Sequence, residues 1–421
     1  MCNIIVPLRP PRLSVVVPVH NGERYLEECS ASVLGQDFTD LELILVDDAS
    51  SDATRDVIGR LEAADSRVRP VLLDENQGTL GARQAGVAAS RGVFVTLIDQ
   101  DDEFAPGALA KVMAHTGEAD IVHFGVRVAP EGEAAKRSAA GMEGFLTPVA
   151  RRLEGKEILR VQFSEQGNFD WHVHHKLYDG DLARRAWGMS AKTRLLLSDD
   201  IYLCMILDSL AGSYVGLGDA PWYVYHLGRG ETLGARETLD ALRRTSEREL
   251  KGWHLMRDFS RDHASDLPRD DWSERVADAR DRIYENVSNE MIDGLPAAEL
   301  PQAVDMLLSQ WPADAVAGEL WRYVRDRAYE RFDRHVEPTR GDSLDQVLTL
   351  ARRADALVAP GESSERYRQM KGVAQTHLRE LAERHPDQAE WLANAPAGSG
   401  SPSRAGGASG MLRRLLGRLS R

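Results

Sequence analysis

The sequence predicts an α/β protein: an open, mostly parallel sheet with helices on both faces, followed by an α-helical C-terminal region. Three observations carry that reading. Short runs rich in Val and Ile alternate with stretches of helical periodicity through the first third of the chain. Helical periodicity alone dominates beyond about residue 230. The chain has 421 residues, 43% of them hydrophobic, which is enough for more than one core.

The runs Leu13–Val19, Leu41–Asp47, Val68–Leu73 and Val93–Asp99 are bounded by turn residues and read as strands buried on both faces. Glu23–Val33, Asp52–Ala64, Gly78–Ser90 and Pro106–His115 place apolar residues at helical spacing. Asp120–Val128 and Trp222–His226 read as further strands and Ile201–Leu210 as a helix, so residues 1–230 form one domain. Residues 231–394 form a helical domain, with Thr238–Phe259, Asp271–Ile292 and Ala315–Val336 as helices. Residues 395–410 are Gly, Ser, Ala, Pro and one Arg, a composition that cannot offset the entropy of ordering and reads as a flexible linker. Residues 411–421, MLRRLLGRLSR, set Leu412, Leu415, Leu416 and Leu419 on one helical face among arginines. Such a basic amphipathic tail suits an anionic membrane surface, or a protein face that includes a second copy of the chain.

The formal net charge is −14, from 66 acidic against 52 basic residues, which argues against broad binding to a nucleic-acid backbone. No run approaches the roughly 18 apolar residues of a membrane-spanning helix. The start, MCNIIVPLRPP, lacks a secretory leader pattern, so the expected location is cytoplasmic, with the tail suited to the inner face of the plasma membrane. Cys2, Cys29 and Cys204 show no CxxC spacing and support neither a disulfide framework nor a structural zinc.

In a sheet of this kind ligands bind beyond the carboxyl ends of the strands, and there the sequence is acidic. Asp99-Gln100-Asp101-Asp102 follows one strand. Carboxylates this close repel one another unless a cation compensates, and Mg²⁺ or Mn²⁺ typically takes one or two of them while phosphate oxygens fill the other positions. The alternative is an acidic loop capping the helix near Pro106. A second strand ends in Asp47-Asp48, where a carboxylate can accept a ring N–H from uracil, thymine or guanine. The rival reading, a phosphorelay receiver, would carry that pair on its first strand, whereas here Leu13–Val19 precedes it. Asp52 is placed to cap the next helix. The stretch from Asn76 to Gly86 opens a helix with glycines that admit a ligand and with Arg83 one and a half turns in. No GxGxxG follows the first strand and no Walker A loop occurs, so dinucleotide and P-loop sites lack support.

Taken in order, SVVVPVHNGERYLEECSASVLGQ, LILVDDASSDAT, ENQGTLGARQAG and LIDQDDEFAPGAL resemble the motifs of the inverting family 2 glycosyltransferases with the GT-A fold, bacterial type. The resemblance is strong over residues 12–110 and weaker to about 230. His20 stands where Tyr is usual, Ala49 for Gly and Gln84 for Asn. The resemblance implies that Pro18 and Asp48 contact the nucleobase, that Arg83 assists the nucleotide, that Asp99 lies near the ribose and metal, and that Asp101 holds Mn²⁺ or Mg²⁺ on the diphosphate. Asp102 would support that site. The family's acidic pair near the acceptor corresponds to Asp199-Asp200, with Asp200 as general base; the bland reading of that pair is helix capping. The stretch from Trp222 to Thr232 resembles the segment that closes the catalytic domain, which implies Tyr225 and His226 over the donor diphosphate and Arg229 neutralising it; the alternative is that Tyr223 and Tyr225 belong to a core strand. Three histidines in Trp171–Tyr178 invite a zinc reading, but His174 and His175 are adjacent and point apart in most local structures.

The implied activity is metal-dependent, inverting transfer of a sugar from a nucleotide-sugar donor, a UDP-sugar by expectation, to a hydroxyl of a cell-surface polysaccharide, teichoic-acid or lipid-linked acceptor. The competing reading is a non-catalytic sugar-nucleotide-binding or scaffold protein on the same fold. A nucleotidyltransferase would need an early Gly-rich, Arg-bearing loop that this chain lacks.

Overall fold

A computed structural model of the chain describes residues 9–164, 171–229, 238–267, 269–334, 344–361 and 363–388. The linker expected at 395–410 and the tail at 411–421 lie outside the described residues, as do Gly230–Thr232. In chain order the elements are β1 (Leu13–Val19), α1 (Leu26–Leu34), β2 (Leu41–Asp47), α2 (Thr54–Ala64), β3 (Val68–Leu72), α3 (Gly78–Ala89), β4 (Phe94–Leu97), β5 (Glu103–Phe104), α4 (Ala108–Ala114), β6 (Ile121–Pro130), α5 (Gly132–Phe145), β7 (Arg151–Glu154), α6 (Lys156–Ser164), β8 (Lys176–Asp179), α7 (Gly180–Met189), α8 (Asp199–Leu210) and β9 (Ser213–Leu227). They are followed by α9 (Leu239–Asp262), α10 (Trp272–Gly294), α11 (Leu300–Gln310), α12 (Ala313–Ala328), α13 (Leu344–Asp355) and α14 (Glu365–Arg384).

The strands join one sheet in the order β3-β2-β1-β4-β8-β6-β9-β5, with β7 also on β9. The β3, β2, β1 and β4 strands are mutually parallel, as are β6 and β9. β8 runs antiparallel between β4 and β6, and β5 and β7 run antiparallel to β9. All of β2 and all of β1 except Pro18 are buried, which is why their sequences are almost continuously apolar. At the sheet edge β3 buries only Val68.

Helix α3 lies close on the sheet because Gly86 has no side chain: a β-carbon there would stand 2.4 Å from Val16 Cγ1 and 2.8 Å from Val46 Cγ2. That approach fixes the height of Arg83 and Gln84, one turn earlier, above the strand ends. Helix α12 is shorter than its sequence pattern suggests and widens into a π-helical turn at Tyr329–Asp333.

Two compact units result. One holds all the described strands, α1–α8 and Leu255–Asp271; the other holds the described residues up to His254 that follow the sheet, and those from Trp272 onward. The helical unit carries a buried ionic network in which Arg366 joins Glu285 (3.0 Å) and Glu319 (2.6 Å), while Arg322 also meets Glu319 (2.6 Å). None of the helices in the described residues is long and apolar enough to cross a membrane.

Candidate functional site

The carboxyl ends of β1, β2 and β4 are laced into one surface by short-range hydrogen bonds. His20 N–H donates to Gln100 Oε1 (2.9 Å) and Gln100 Nε2 donates back to the His20 carbonyl (3.2 Å). Asp48 N–H donates to the Val19 carbonyl (2.8 Å) and Asn21 N–H to Ser50 Oγ (2.9 Å). Gly22 is needed at this crossing, since a β-carbon would fall 2.6 Å from Gln100 Oε1. Pro18 pairs with Val46 at the edge of the same surface.

The two carboxylates after β2 divide their tasks. Asp47 is fully buried and accepts from Arg55 Nε at 2.6 Å, which makes it structural. Asp48 accepts the N–H of Gln77 (2.7 Å) on one oxygen and that of Gly78 (2.8 Å) on the other. A carboxylate offers about four lone-pair positions, so Asp48 can take a further N–H from a ligand. His20 Nδ1 lies 2.9 Å from the Asp48 carbonyl and Asn76 Nδ2 lies 3.2 and 3.3 Å from the His20 ring nitrogens. Asn76 Oδ1 is buried with no hydrogen-bond partner among the described residues, an acceptor beside Asp48 that a ligand donor would satisfy. Asp52 Oδ1 accepts from Thr54 N–H (3.0 Å) at the start of α2.

Arg83 sits at the centre. Its Nη2 donates to Asp99 Oδ1 (3.0 Å), and its Nη1 donates to Asp199 Oδ2 (2.9 Å) and Asp200 Oδ1 (2.5 Å). The guanidinium is buried, and the charges of Asp200, Asp99 and Asp199 hold it protonated against that burial. Arg83, expected from the sequence pattern to assist a nucleotide, meets three carboxylates within the protein, each able to compensate one buried fork. The acidic pair does not simply cap α8: the N-cap is Ser198, in the left-handed region at φ 61°, and both carboxylates turn toward Arg83. Burial and the charge of Asp200 push Asp199 up to about 7.

The loop after β4 is strapped to β9. Tyr223 Oη accepts the Asp99 N–H (3.2 Å) and donates to Asp102 Oδ2 (2.7 Å), while His226 N–H donates to Asp102 Oδ1 (2.8 Å). Asp102 is thus turned into the core, and burial, then the charges of Asp101 and Asp99, drive its pKa well up. Asp101 is partly buried; burial and the neighbouring Asp99 raise it too. Arg229 is held by Glu131 (2.6 Å), Glu28 (2.9 Å) and the Asp101 carbonyl (3.3 Å), with its guanidinium 4.7 Å over the Tyr25 ring. It braces the acidic loop from outside.

Among the described residues no three side chains of metal-ligating type converge as a ready-made centre. The donor set fits a hard cation that takes one or two carboxylates and completes its shell with substrate oxygens, since Asp101 and Asp99 are close carboxylate neighbours and burial penalises the charge of Asp101. The histidine-rich segment folds inward: the His174 ring stacks on Tyr223 at 4.7 Å and 18°, and His174 and His175, expected to point apart, bring their Nδ1 atoms to 2.6 Å, because the left-handed backbone of His175 turns the two rings together. The residues that sequence reasoning underrated are Tyr223 and Gln84. Gln84 Nε2 donates to Ser190 Oγ (2.7 Å) and the Ala191 carbonyl (3.1 Å), on the approach to Asp199 and Asp200.

Comparison with known proteins gives the site its kin. The description "Glycosyl transferase family 2" matches residues 14–185. A Campylobacter jejuni protein named GalNAc(5)-diNAcBac-PP-undecaprenol beta-1,3-glucosyltransferase is 39% identical over 158 residues, 37% of this chain and 49% of that protein. A putative teichuronic acid biosynthesis glycosyltransferase, TuaG of Bacillus subtilis, is 38% identical over 101 residues, 24% of this chain and 40% of that protein. The chain spans about half or less of the length of these curated relatives. The crystal structure of S. aureus TarS 1-349 superposes with a TM-score of 0.53 at 19% identity, covering 82% of this chain and 91% of that one, and so shares the fold. By motif order, sheet topology and sequence match, this chain carries a glycosyltransferase domain of family 2, built on the GT-A fold and of bacterial type.

Proposed function

We propose that the protein is a metal-dependent inverting glycosyltransferase that moves a sugar from a nucleotide-sugar, a UDP-sugar in the first instance, to a hydroxyl of a glycan or lipid-linked acceptor. One observation carries this reading: Arg83 joins the loop after β4, through Asp99, to the acidic pair that opens α8, so that the anionic groups share one cleft. The relative at 39% identity is named for glucosyl transfer onto a polyprenyl-diphosphate glycan, and TarS, which shares the fold, has been crystallised with UDP-GlcNAc.

In this reading Asp48 takes the nucleobase N–H beside Pro18, and Asn76 Oδ1 supplies an acceptor next to it. Asp101 and Asp99 are the residues that would hold Mn²⁺ or Mg²⁺. A cation held there would neutralise charge that develops on the leaving diphosphate. Asp200, with one oxygen fixed on Arg83, takes the proton of the acceptor hydroxyl, which attacks from the face opposite the diphosphate and inverts the anomeric carbon. Asp199 stands beside it, its own pKa raised to about 7 by burial and the charge of Asp200. Arg83 orients both carboxylates, and Tyr223 and Asp102 hold the cation-bearing loop in register.

The test is UDP release from candidate UDP-sugars with Mn²⁺ or Mg²⁺ across a panel of glycan and polyprenyl-linked acceptors, repeated with Asp101→Ala. The account expects turnover that needs the metal and is lost in the variant. Metal-dependent turnover that survives Asp101→Ala removes the metal assignment, and nucleotide binding without turnover on any acceptor favours a binding protein.

A further inference from the structure

Arg229 stands just past the end of β9, beside the acidic loop that follows β4. It donates from Nε to Glu131 Oε1 (2.6 Å) and from Nη1 to Glu28 Oε2 (2.9 Å) and to the Asp101 carbonyl (3.3 Å). The Asp101 contact sets this cation next to the proposed metal–diphosphate site, and the sequence pattern assigns it to the donor diphosphate. Two carboxylates already compensate its charge, however. A diphosphate draws the full strength of a guanidinium only by taking the place of one or both of them.

The geometry suits such an exchange. The acids come from separate elements, Glu28 from α1 and Glu131 from the turn between β6 and α5. Their side chains are 48% and 43% exposed, against 10% for Arg229, and ion pairs whose acids stand partly in water hold weakly. The hydrogen bond from Arg229 lowers the pKa of Glu131, so that acid stays charged at neutral pH. Behind the guanidinium the Tyr25 ring, at 4.7 Å, offers an apolar face that remains when the anionic partners change. The residue before Arg229 is Gly228, in the left-handed region at φ 111°, where a β-carbon would fall 2.6 Å from the Glu131 carbonyl oxygen. The chain therefore reaches Arg229 through a backbone position that favours glycine.

We propose that Glu28 and Glu131 are positioning residues that compete with the donor diphosphate for Arg229, and so set how tightly this chain holds a nucleoside diphosphate. The inference rests on the nucleotide-sugar reading above and concerns two acids to which that reading gives no role. Apparent affinity falls by the fraction of molecules whose binding group is free to engage, so each acid that holds Arg229 weakens the grip on UDP. The same acids take the cation back as UDP leaves, which favours release of the product after transfer.

Calorimetric titration of the full chain with UDP and with uridine, in Mn²⁺, tests it on the natural protein, Glu28→Gln, Glu131→Gln, the double variant, Arg229→Ala and the triple variant with all three changes. Glu133→Gln is the control for net charge, since Glu133 is close to Glu131 in the chain and pairs with Lys136 (2.8 Å). The double variant is expected to bind UDP about threefold tighter or more, the scale of two partly exposed ion pairs that no longer have to be broken. Each single variant should show part of that gain and Glu133→Gln none. Uridine affinity should not change, and the triple variant should bind UDP no tighter than Arg229→Ala. A purely structural role predicts the opposite sign, because loosening Arg229 would slacken the loop that carries Asp101. UDP affinity in the double variant equal to or below that of the natural protein overturns the inference and leaves the function reading intact, as does a gain that persists in the Arg229→Ala background. If the natural protein binds none of UDP, GDP, CDP and dTDP, the nucleotide-sugar reading and this inference fall together.

Discussion

Asp200 and Asp199, adjacent at the start of α8 and both paired with Arg83, have different tasks in the proposed reading. Asp200→Asn removes the proton acceptor but keeps the shape, so turnover should fall by about 10²- to 10⁴-fold while the affinity for UDP with Mn²⁺ is unchanged. A parallel loss of UDP affinity would show that the residue binds donor instead. Asp199, pushed up to about 7, predicts a pH profile. As pH falls through that value the pair takes up a proton and kcat/KM should decline. Asp199→Asn should abolish that limb, because it removes the carboxyl that titrates there. A limb that stays in place would assign the titration to another group. Tyr223→Phe belongs to the same scale: without its hydroxyl the Asp99 N–H and Asp102 each lose a partner. The Mn²⁺ concentration for half-maximal turnover should rise severalfold, with most of kcat recovered at saturating metal.

Among the elements, α3 and α8 set the site, and both predict measurable stability effects. Gly86→Val would drive methyl groups into Val16 and Val46, and overpacking of this kind costs about 1–3 kcal/mol, read by urea unfolding. Because Arg83 and Gln84 ride on the same helix, turnover should fall with it. On α8, Asp208 is buried and desolvation pushes it up to about 7 against the opposing charges of Lys176 and Arg269. The sign follows from proton linkage. Between the unfolded carboxyl pKa, about 4, and 7 the folded state binds more protons than the unfolded one, so this group lowers stability as pH rises through that window and contributes a constant penalty above it. Asp208→Asn should therefore gain stability over the natural protein as pH goes from 4 to 7, with the difference level beyond; equal melting curves at pH 4 and pH 8 would contradict it. The four early strands were legible because β1 and β2 are almost continuously apolar and buried. β8 and β5, four and two residues long, were not, since so short a run has no period of its own and owes its pairing to strands distant in sequence. The π-helical turn that ends α12 is likewise a tertiary outcome and leaves no pattern in the sequence.

For the molecule as a whole, motif order made the fold and the acidic residues legible, because Asp48, Asp99 and Asp101 follow strand ends and the Asp199–Asp200 pair opens a helix. The destinations of the cations were not legible. Arg83 and Arg229 also meet acids from elements far apart in the chain, Glu28, Glu131 and Asp199 among them, and that convergence exists only once the sheet is formed. Gln84 looked like a small departure from the family pattern and is instead the tether of the segment that presents the acidic pair. In the helical unit Arg366→Ala would leave Glu285 and Glu319 short of a buried cation and should cost about 3–5 kcal/mol in urea unfolding. The central claim is that Asp48, Asp99, Asp101 and the Asp199–Asp200 pair serve one cation-borne nucleoside diphosphate. Calorimetry of UDP against the full chain, with Mn²⁺ and with chelator, tests it most directly: the account predicts binding that requires the metal and disappears in Asp101→Ala. Binding that is equally tight in chelator and untouched by that substitution would contradict it.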